Sequence, residues 1–297
     1  MAPQPILPAS TTGSGTREPG AHAAARGGEP CVRHGELLID ADSPVIVLPA
    51  YGRQPPDATA LLALWLAGEG LRVLVHGDGP ATAFDARSVL ADLGVAASST
   101  AVEVASAWCR RQPAFVPADR IAPALGGRPV DAAWLEHASL LDPIRGARSL
   151  RVVGAPDRAA AAALGEAARH EGLDLMVVGA PRGTSVSPLQ VQPRIDTWID
   201  GIWRVELSLV ERAMTPLERP LLPAMPDTAA NAVWVQSVLS GERPLPLPIG
   251  LQVERLTAAM HLLEASPPRP LRNASHRPGA SACCRPTRPS ESRPSRD

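Results

Sequence analysis

Two short segments at the ends of predicted strands carry residue types that could bind a phosphate or a nucleotide. Tyr51 and Arg53 follow the apolar run Val45–Leu48, and His76 and Gly77 end the next apolar run. An aromatic ring beside an arginine can stack on a nucleotide, and a histidine can donate to a sugar or phosphate. A histidine satisfied by nearby backbone, a tight turn at the glycine and a surface loop would leave the same pattern, so both interpretations stay open.

A second candidate is a group of arginines at the start of one predicted strand and in a later loop: Arg145, Arg148, Arg151 and Arg182. Arginines arranged along a surface can contact the backbone phosphates of a nucleic acid, each contact adding a salt-dependent increment to binding. A solvated rim of charges is the other interpretation. The sequence does not decide between them.

The elements that must position these residues alternate between strands and helices. The predicted strands are Val45–Leu48, Leu71–Val75, Ala114–Val116, Leu150–Val153 and Leu173–Val178, and the helices between them are Ala58–Ala67, Phe84–Leu93, Val102–Arg111, Asp131–Leu141 and Arg158–Glu171. A looser stretch, 181–226, precedes two closing helices, Thr228–Ser240 and Ile249–Leu263. This alternation predicts an α/β fold with a mostly parallel sheet and helices on both faces. Such sheets bind ligands at the carboxyl ends of their strands.

Composition predicts one folded domain between two disordered ends. The 33 Pro and 24 Gly concentrate at the ends, so 1–39 is predicted to be a disordered low-complexity segment and 265–297 a disordered tail rich in Pro, Arg and Ser. The domain is predicted over residues 40–264. The tail carries seven Arg against two acidic residues, a net charge of +5, which leaves −6 for residues 1–264.

Several kinds of function are excluded or disfavoured. All 29 basic residues are Arg, so Schiff-base chemistry and a P-loop lysine are excluded. The four Cys have no zinc or disulfide spacing, and the longest apolar run is much shorter than the roughly 20 residues of a membrane span. The N-terminus has no secretory pattern. We therefore expect a cytoplasmic protein with no membrane partner, no metal site and no cofactor.

Ten short segments over residues 44–262 form a collinear set of motifs: 45–52 (VIVLPAYG), 61–67, 71–77 (LRVLVHG), 89–95 (VLADLGV), 113–116 (PAFV), 140–143 (LLDP), 150–154 (LRVVG), 177–179, 197–201 (TWIDG) and 238–247 (VLSGERPLPL). In their order and spacing they resemble anthranilate phosphoribosyltransferases (glycosyl transferase family 3), and more closely the DNA-binding YbiB-like relatives of these enzymes. The resemblance implies a phosphoribosyltransferase-like α/β domain. Among the enzymes it implies Mg²⁺ and phosphoribosyl pyrophosphate as ligands.

The chain departs from the enzymes where they bind phosphate. Their glycine-rich loop after the first strand is here Pro49–Pro56, with one glycine and no acidic residue, and its prolines lack N–H donors. Their Lys-His-Gly-Asn is here Val75–Asp78, without the lysine, and the loop Gly179–Pro188 lacks their acidic pair for Mg²⁺. Most of their N-terminal helical domain, which supplies the dimer contact, is replaced by the low-complexity segment.

The sequence therefore supports three hypotheses about function. The first is a non-catalytic protein that binds DNA or single-stranded nucleic acid independently of sequence, with Tyr51, Arg53, His76, Gly77, Arg145, Arg148 and Arg182 as candidate contacts. The second is a phosphoribosyl or other glycosyl transferase acting on an aromatic amine such as anthranilate, with Tyr51, His76 and Gly77 around the sugar phosphate. The third is a degenerate copy that acts only through protein contacts. A homodimer is compatible with the resemblance, but the segment that would supply its contact is missing.

Overall fold

The computed structural model describes residues 37–52, 58–77, 85–123, 131–223 and 227–266. Most of the predicted domain lies within these ranges. Both predicted disordered ends, apart from a few residues that border the domain, lie outside the described residues, and so does Arg53.

Eleven strands are present in the described ranges. They are β1 Ile39–Asp40, β2 Val45–Pro49, β3 Arg72–Gly77, β4 Ala114–Pro117, β5 Ile144–Arg145, β6 Ser149–Ala155, β7 Leu175–Gly179, β8 Val191–Gln192, β9 Ile195–Ile199, β10 Ile202–Trp203 and β11 Arg212–Ala213. Seven of them form the central sheet in the order β10-β9-β7-β6-β2-β3-β4. The five strands from β7 to β4 are parallel, and β9 and β10 extend the sheet antiparallel. The prediction of a mostly parallel α/β sheet is confirmed.

Within the part of the chain that the structure describes, eight α-helices cover this sheet. They are α1 Thr59–Gly68, α2 Ala86–Asp92, α3 Ala101–Cys109, α4 Ala118–Ile121, α5 Ala132–Ser139, α6 Arg158–Glu171, α7 Thr228–Leu239 and α8 Leu247–Ala265. Four of them begin at an aspartate whose side chain accepts from a backbone N–H of the first turn: Asp85, Asp131, Asp157 and Asp227. Such caps satisfy donors that have no partner within the helix, and they set where each helix begins.

The two faces of the sheet carry separate apolar cores, because successive side chains of a strand point to opposite faces. Ile46 and Leu48 of β2 pack with α1, α2, α7 and α8, whereas Val45 and Val47 pack with α3, α4 and α5. Helix α6 covers the same face as α5 over β6 and β7. Because helices cover both faces of the sheet, the central strands are buried on both sides, and their sequences are continuous apolar runs.

The stretch 181–226 contains strands that the sequence did not predict. Strands β9 and β10 form a hairpin whose turn residues, Asp200 and Gly201, both have positive φ angles of 55° and 71°. Two positive φ angles in a two-residue loop match the twist of the flanking strands, and Asp-Gly is a favoured pair for this turn. The strands on either side are short, which hides their two-residue periodicity. Within the described ranges, no helix is long and apolar enough to cross a membrane.

Candidate functional site

Tyr51 and His76 meet at the carboxyl edge of the parallel strands, as the topology requires. Tyr51 lies just after β2 and His76 lies near the end of the neighbouring strand β3, opposite Pro49. The Tyr51 hydroxyl is 2.9 Å from Nδ1 of His76, and both side chains are buried. Trp134 of α5 packs edge-on against the Tyr51 ring, with centroids 5.1 Å apart. The histidine is thus held by a side-chain hydroxyl and not by backbone.

His76 is uncharged at neutral pH. It is fully buried, and burial lowers the pKa of its imidazole from 6.5 to about 3, because a charged ring would lose its hydration without a compensating charge. Its Nε2 has no hydrogen-bond partner within the described ranges. A neutral, enclosed ring cannot supply a positive charge to a phosphate.

The loop after β7 fills the place where a ligand of this fold would sit. From β2 the chain continues to β3 and β4 on one side, whereas β6 and β7 lie on the other, so the strand order reverses between β2 and β6. Open α/β sheets bind ligands in the crevice at such a reversal. Here a Cβ on Gly52, just after β2, would clash with the Thr184 methyl group, and a Cβ on Gly154 in β6 would lie 2.8 Å from the Thr184 carbonyl oxygen. Among the described residues, Thr184 therefore fills the space between the ends of β2 and β6 at this crevice, which we call the switch crevice.

Two backbone donors beside the switch crevice, those of Ala50 and Tyr51, are already used. The Tyr51 N–H donates to the Gly183 carbonyl at 2.7 Å, and the Ala50 N–H donates to the His76 carbonyl at 2.8 Å. A Cβ on Gly77 would clash with the Ala50 carbonyl oxygen, so this glycine is required by the close approach of two backbones. A phosphate cradle needs free N–H groups, and these two are not free.

Arg148 lies at the opposite, amino edge of the sheet, just before β6. Its guanidinium donates to both carboxylate oxygens of Asp174, at 2.9 and 2.6 Å, and to Asp200 at 2.8 Å. Burial alone would lower the pKa of Arg148, but the hydrogen bonds and charges of Asp174 and Asp200 outweigh it and raise that pKa. The side chain is a buried structural cation whose donors are directed at carboxylates.

The remaining candidates divide between the two edges. Arg145 is exposed in β5, shortly before Arg148, while Arg151 lies buried in β6 and reaches the Leu140 carbonyl at 3.4 Å. Arg182 lies in the loop after β7, at the carboxyl edge with Tyr51, His76 and Gly77. The fold thus brings four of the described candidates together and places Arg145 and Arg148 at the other end of the strands.

Sequence reasoning missed the residues that close both edges. Asp174 and Asp200 lie 26 and 52 residues from Arg148, and Thr184 sits in a stretch without periodicity. The Asp-Gly pair at 200–201 was the one available signal, and it marks a hairpin turn, not an ion-pair partner. Within the described ranges, no group of three or more potential metal-binding side chains is present.

Sheet order, crevice and helical layers together define a doubly wound α/β protein. No protein-family model matches the sequence, and no curated protein matches it significantly. Among solved structures, the anthranilate phosphoribosyltransferase of Thermus thermophilus is 19% identical with a TM-score of 0.51, and the match covers 78% of this chain and 76% of that one. The Saccharomyces cerevisiae enzyme, in complex with phosphoribosyl pyrophosphate and Mg, is 15% identical with a TM-score of 0.52, covering 77% of this chain and 68% of that one. The chain has the fold of anthranilate phosphoribosyltransferases. Sequence identities this low show the fold alone and assign no activity to this chain.

Proposed function

We propose that this chain is a non-catalytic protein on the anthranilate phosphoribosyltransferase fold that binds nucleic acid through its Arg-rich segment, residues 265–297. The observation that supports the non-catalytic part is the closed switch crevice. Thr184 occupies it and the Tyr51 amide donates to Gly183, so a diphosphate would have to displace protein groups that are already paired. Displacing them would cost free energy that an open phosphate loop does not require.

The charge distribution supports the assignment of nucleic-acid contacts to the Arg-rich segment. The described residues carry 17 Arg against 23 Asp and Glu, a net charge of −6, so the folded core repels a polyanion. Arg148, one of the predicted contacts, already has two carboxylates as partners. The Arg-rich segment carries +5 and no bulky aromatic residue, which suits electrostatic binding without sequence preference.

The test is fluorescence anisotropy of a labelled single-stranded oligonucleotide titrated with the full-length protein at low and at physiological salt. With seven arginines in the segment, the logarithm of the affinity should fall against the logarithm of salt with a slope of at most about 5. Replacing all seven with Gln should abolish binding, whereas Arg145→Gln should leave it unchanged. The seven are Arg269, Arg272, Arg277, Arg285, Arg288, Arg293 and Arg296.

Two outcomes would overturn the proposal. Absence of binding by the full-length protein at low salt would remove nucleic acid as the ligand. Undiminished binding by the seven-fold variant would instead place the interface outside the Arg-rich segment, where the seven contacts predicted from the sequence lie: Tyr51, Arg53, His76, Gly77, Arg145, Arg148 and Arg182.

A phosphoribosyl or other glycosyl transferase acting on an aromatic amine is the second candidate. It is favoured by the grouping of Tyr51, His76 and Gly77 at the carboxyl edge, and by the fold shared with the yeast enzyme whose structure is in complex with phosphoribosyl pyrophosphate and Mg. Under this candidate, the full-length protein consumes anthranilate when phosphoribosyl pyrophosphate and Mg²⁺ are also supplied. Loss of anthranilate fluorescence above that of a protein-free sample would establish it and refute the non-catalytic proposal.

A further inference from the structure

A cavity of about 260 Å³ lies at the carboxyl end of β6, lined by residues of α5, α6 and the loop after β7, and Gly154 at the switch crevice is part of its lining. Its lining includes Glu136 and Ser139 of α5, Ala160 and Leu164 of α6, and Arg182 and Gly183 of the loop after β7. Ser139, Leu164 and Gly183 are buried, whereas Glu136 is exposed. The volume is somewhat below the roughly 300–1,000 Å³ of sites for drug-sized ligands, so it fits a smaller molecule.

Two opposite charges face this cavity without compensating each other. Arg182 and Glu136 both line it, yet they form no salt bridge with each other or with another residue in the described ranges. They come from different elements, Arg182 from the loop after β7 and Glu136 from α5. A ligand that carries an anionic and a cationic group would satisfy both charges at once.

Each charge has a neutral hydrogen-bonding group beside it. Next to Arg182, the Gly183 N–H donates to no acceptor within the described ranges, so a carboxylate bound there would displace no protein acceptor. Three residues from Glu136 on α5, Ser139 donates its hydroxyl proton to the Leu135 carbonyl at 2.6 Å, which leaves its oxygen free to accept from an ammonium. Residues three apart on a helix share a face, consistent with both lining the cavity.

Part of the cavity wall is apolar. Ala159, Ala160, Ala163 and Leu164 of α6 and Val153 of β6 contribute it, and the small alanine side chains keep the cavity open. An aliphatic or aromatic side chain of moderate size would bury against this wall and gain roughly 25 cal/mol per Å² of apolar surface removed from water.

We propose that this cavity binds a free α-amino acid with an apolar side chain. Arg182 and the Gly183 N–H hold its carboxylate, Glu136 and the Ser139 hydroxyl oxygen hold its ammonium group, and α6 contacts its side chain. The site is separate from the Arg-rich segment, so it goes beyond the proposed nucleic-acid binding and does not depend on it.

The experiment is isothermal titration calorimetry of the full-length protein with valine, leucine, isoleucine, methionine and phenylalanine. At least one should bind saturably. For leucine, 4-methylpentanoate lacks the amine and 3-methylbutylamine lacks the carboxylate, so each should bind at least about tenfold more weakly than the amino acid. Matching analogues would be used for whichever amino acid binds best.

Variants locate the binding and separate it from folding. Arg182→Met and Glu136→Gln should each raise the Kd about tenfold or more, because each removes one charged partner. Ala163→Leu should abolish binding by filling the cavity, and Ala162→Leu is its matched control, since Ala162 lies on the same helix but does not line the cavity. Leucine is well tolerated in helices, so both variants should fold.

The proposal is overturned if none of the five amino acids binds. Equal binding of 4-methylpentanoate and leucine would also overturn it, because the cavity would then be a simple anion site. Binding that is unchanged by both Arg182→Met and Ala163→Leu would place the ligand elsewhere. None of these results bears on the nucleic-acid proposal, which the anisotropy experiment tests independently.

Discussion

The two edges of the central sheet look alike in sequence and are built differently. At the carboxyl edge, a neutral His76 is held by Tyr51, and Thr184 fills the switch crevice. At the amino edge, Arg148 is charged and is held by two carboxylates, Asp174 and Asp200. In both places residues that suggest a ligand site have partners within the protein. A polar residue at a strand end is therefore a site candidate only if its partners leave it free.

The difference between the two edges predicts how substitutions and pH should change the free energy of unfolding at each of them. Removing one partner of a buried ion pair leaves an uncompensated charge, which is among the costliest single changes in a protein core. The carboxyl edge has no such charge in its Tyr51–His76 pair, so its stability depends on packing and on pH. The predictions below run from the largest expected effect to the smallest.

Arg148→Met should lower the free energy of unfolding by about 3–5 kcal/mol, because Asp174 would remain buried without its cation. Chemical denaturation monitored by circular dichroism measures this loss. Arg145→Gln is the matched control; Arg145 is exposed and should change stability by no more than about 0.5 kcal/mol.

The double variant Arg148→Met with Asp174→Leu sharpens this result. It should recover part of the lost stability, since both charges are then absent, although the Asp200 N–H that donates to Asp174 loses its acceptor. Equal stability of Arg148→Met and the native protein would show that the amino-edge arginine is not a structural cation.

Gly154→Ala should lower the free energy of unfolding by about 1–3 kcal/mol, the usual cost of overpacking a well-packed region. The new Cβ would clash with the Pro181 carbonyl oxygen and press on Thr184, so the loop that closes the switch crevice would have to move. Gly68→Ala is the control, since a Cβ at that helical position meets nothing within 4 Å. Similar thermal melts for the two variants would contradict the tight contact between the loop and β6.

The pH dependence of stability should carry the signature of His76. Because the folded-state pKa is about 3 and the ordinary value is 6.5, the unfolded chain binds the extra proton between these values. The stabilisation is complete above pH 6.5 and is lost as pH falls towards 3, by up to about 1.4 kcal/mol per pH unit. Denaturation series at several pH values should show this slope in the native protein and a shallower one in His76→Gln. Identical slopes would mean that the ring is not buried in its neutral form.

Local sequence patterns predicted the fold well because they report local physics. Apolar runs such as Val45–Leu48 are typical of strands buried on both faces, and helix α6, Arg158–Glu171, was predicted to the residue between an aspartate cap and a glycine. The small helix α4 and the β9–β10 hairpin were missed, because segments of two to five residues show too little periodicity.

The sites were less predictable because their partners are distant along the chain. Nothing near Arg148 in sequence indicates that Asp174 and Asp200 will surround it, and nothing near Gly52 indicates contact with Thr184. Likewise, Glu136 and Arg182 meet the same cavity only because α5 and the loop after β7 fold onto one sheet face. Sequence supplies the residue types, whereas the fold decides which of them remain available to a ligand.

The most direct test of the account is isothermal titration calorimetry of phosphoribosyl pyrophosphate into the full-length protein, with and without MgCl₂. An anthranilate phosphoribosyltransferase under the same conditions serves as the positive control. The closed switch crevice predicts no saturable heat of binding in either condition. Saturable binding that requires Mg²⁺ would contradict the account, because the loop carrying Thr184 would then have to open and the crevice would be a working substrate site.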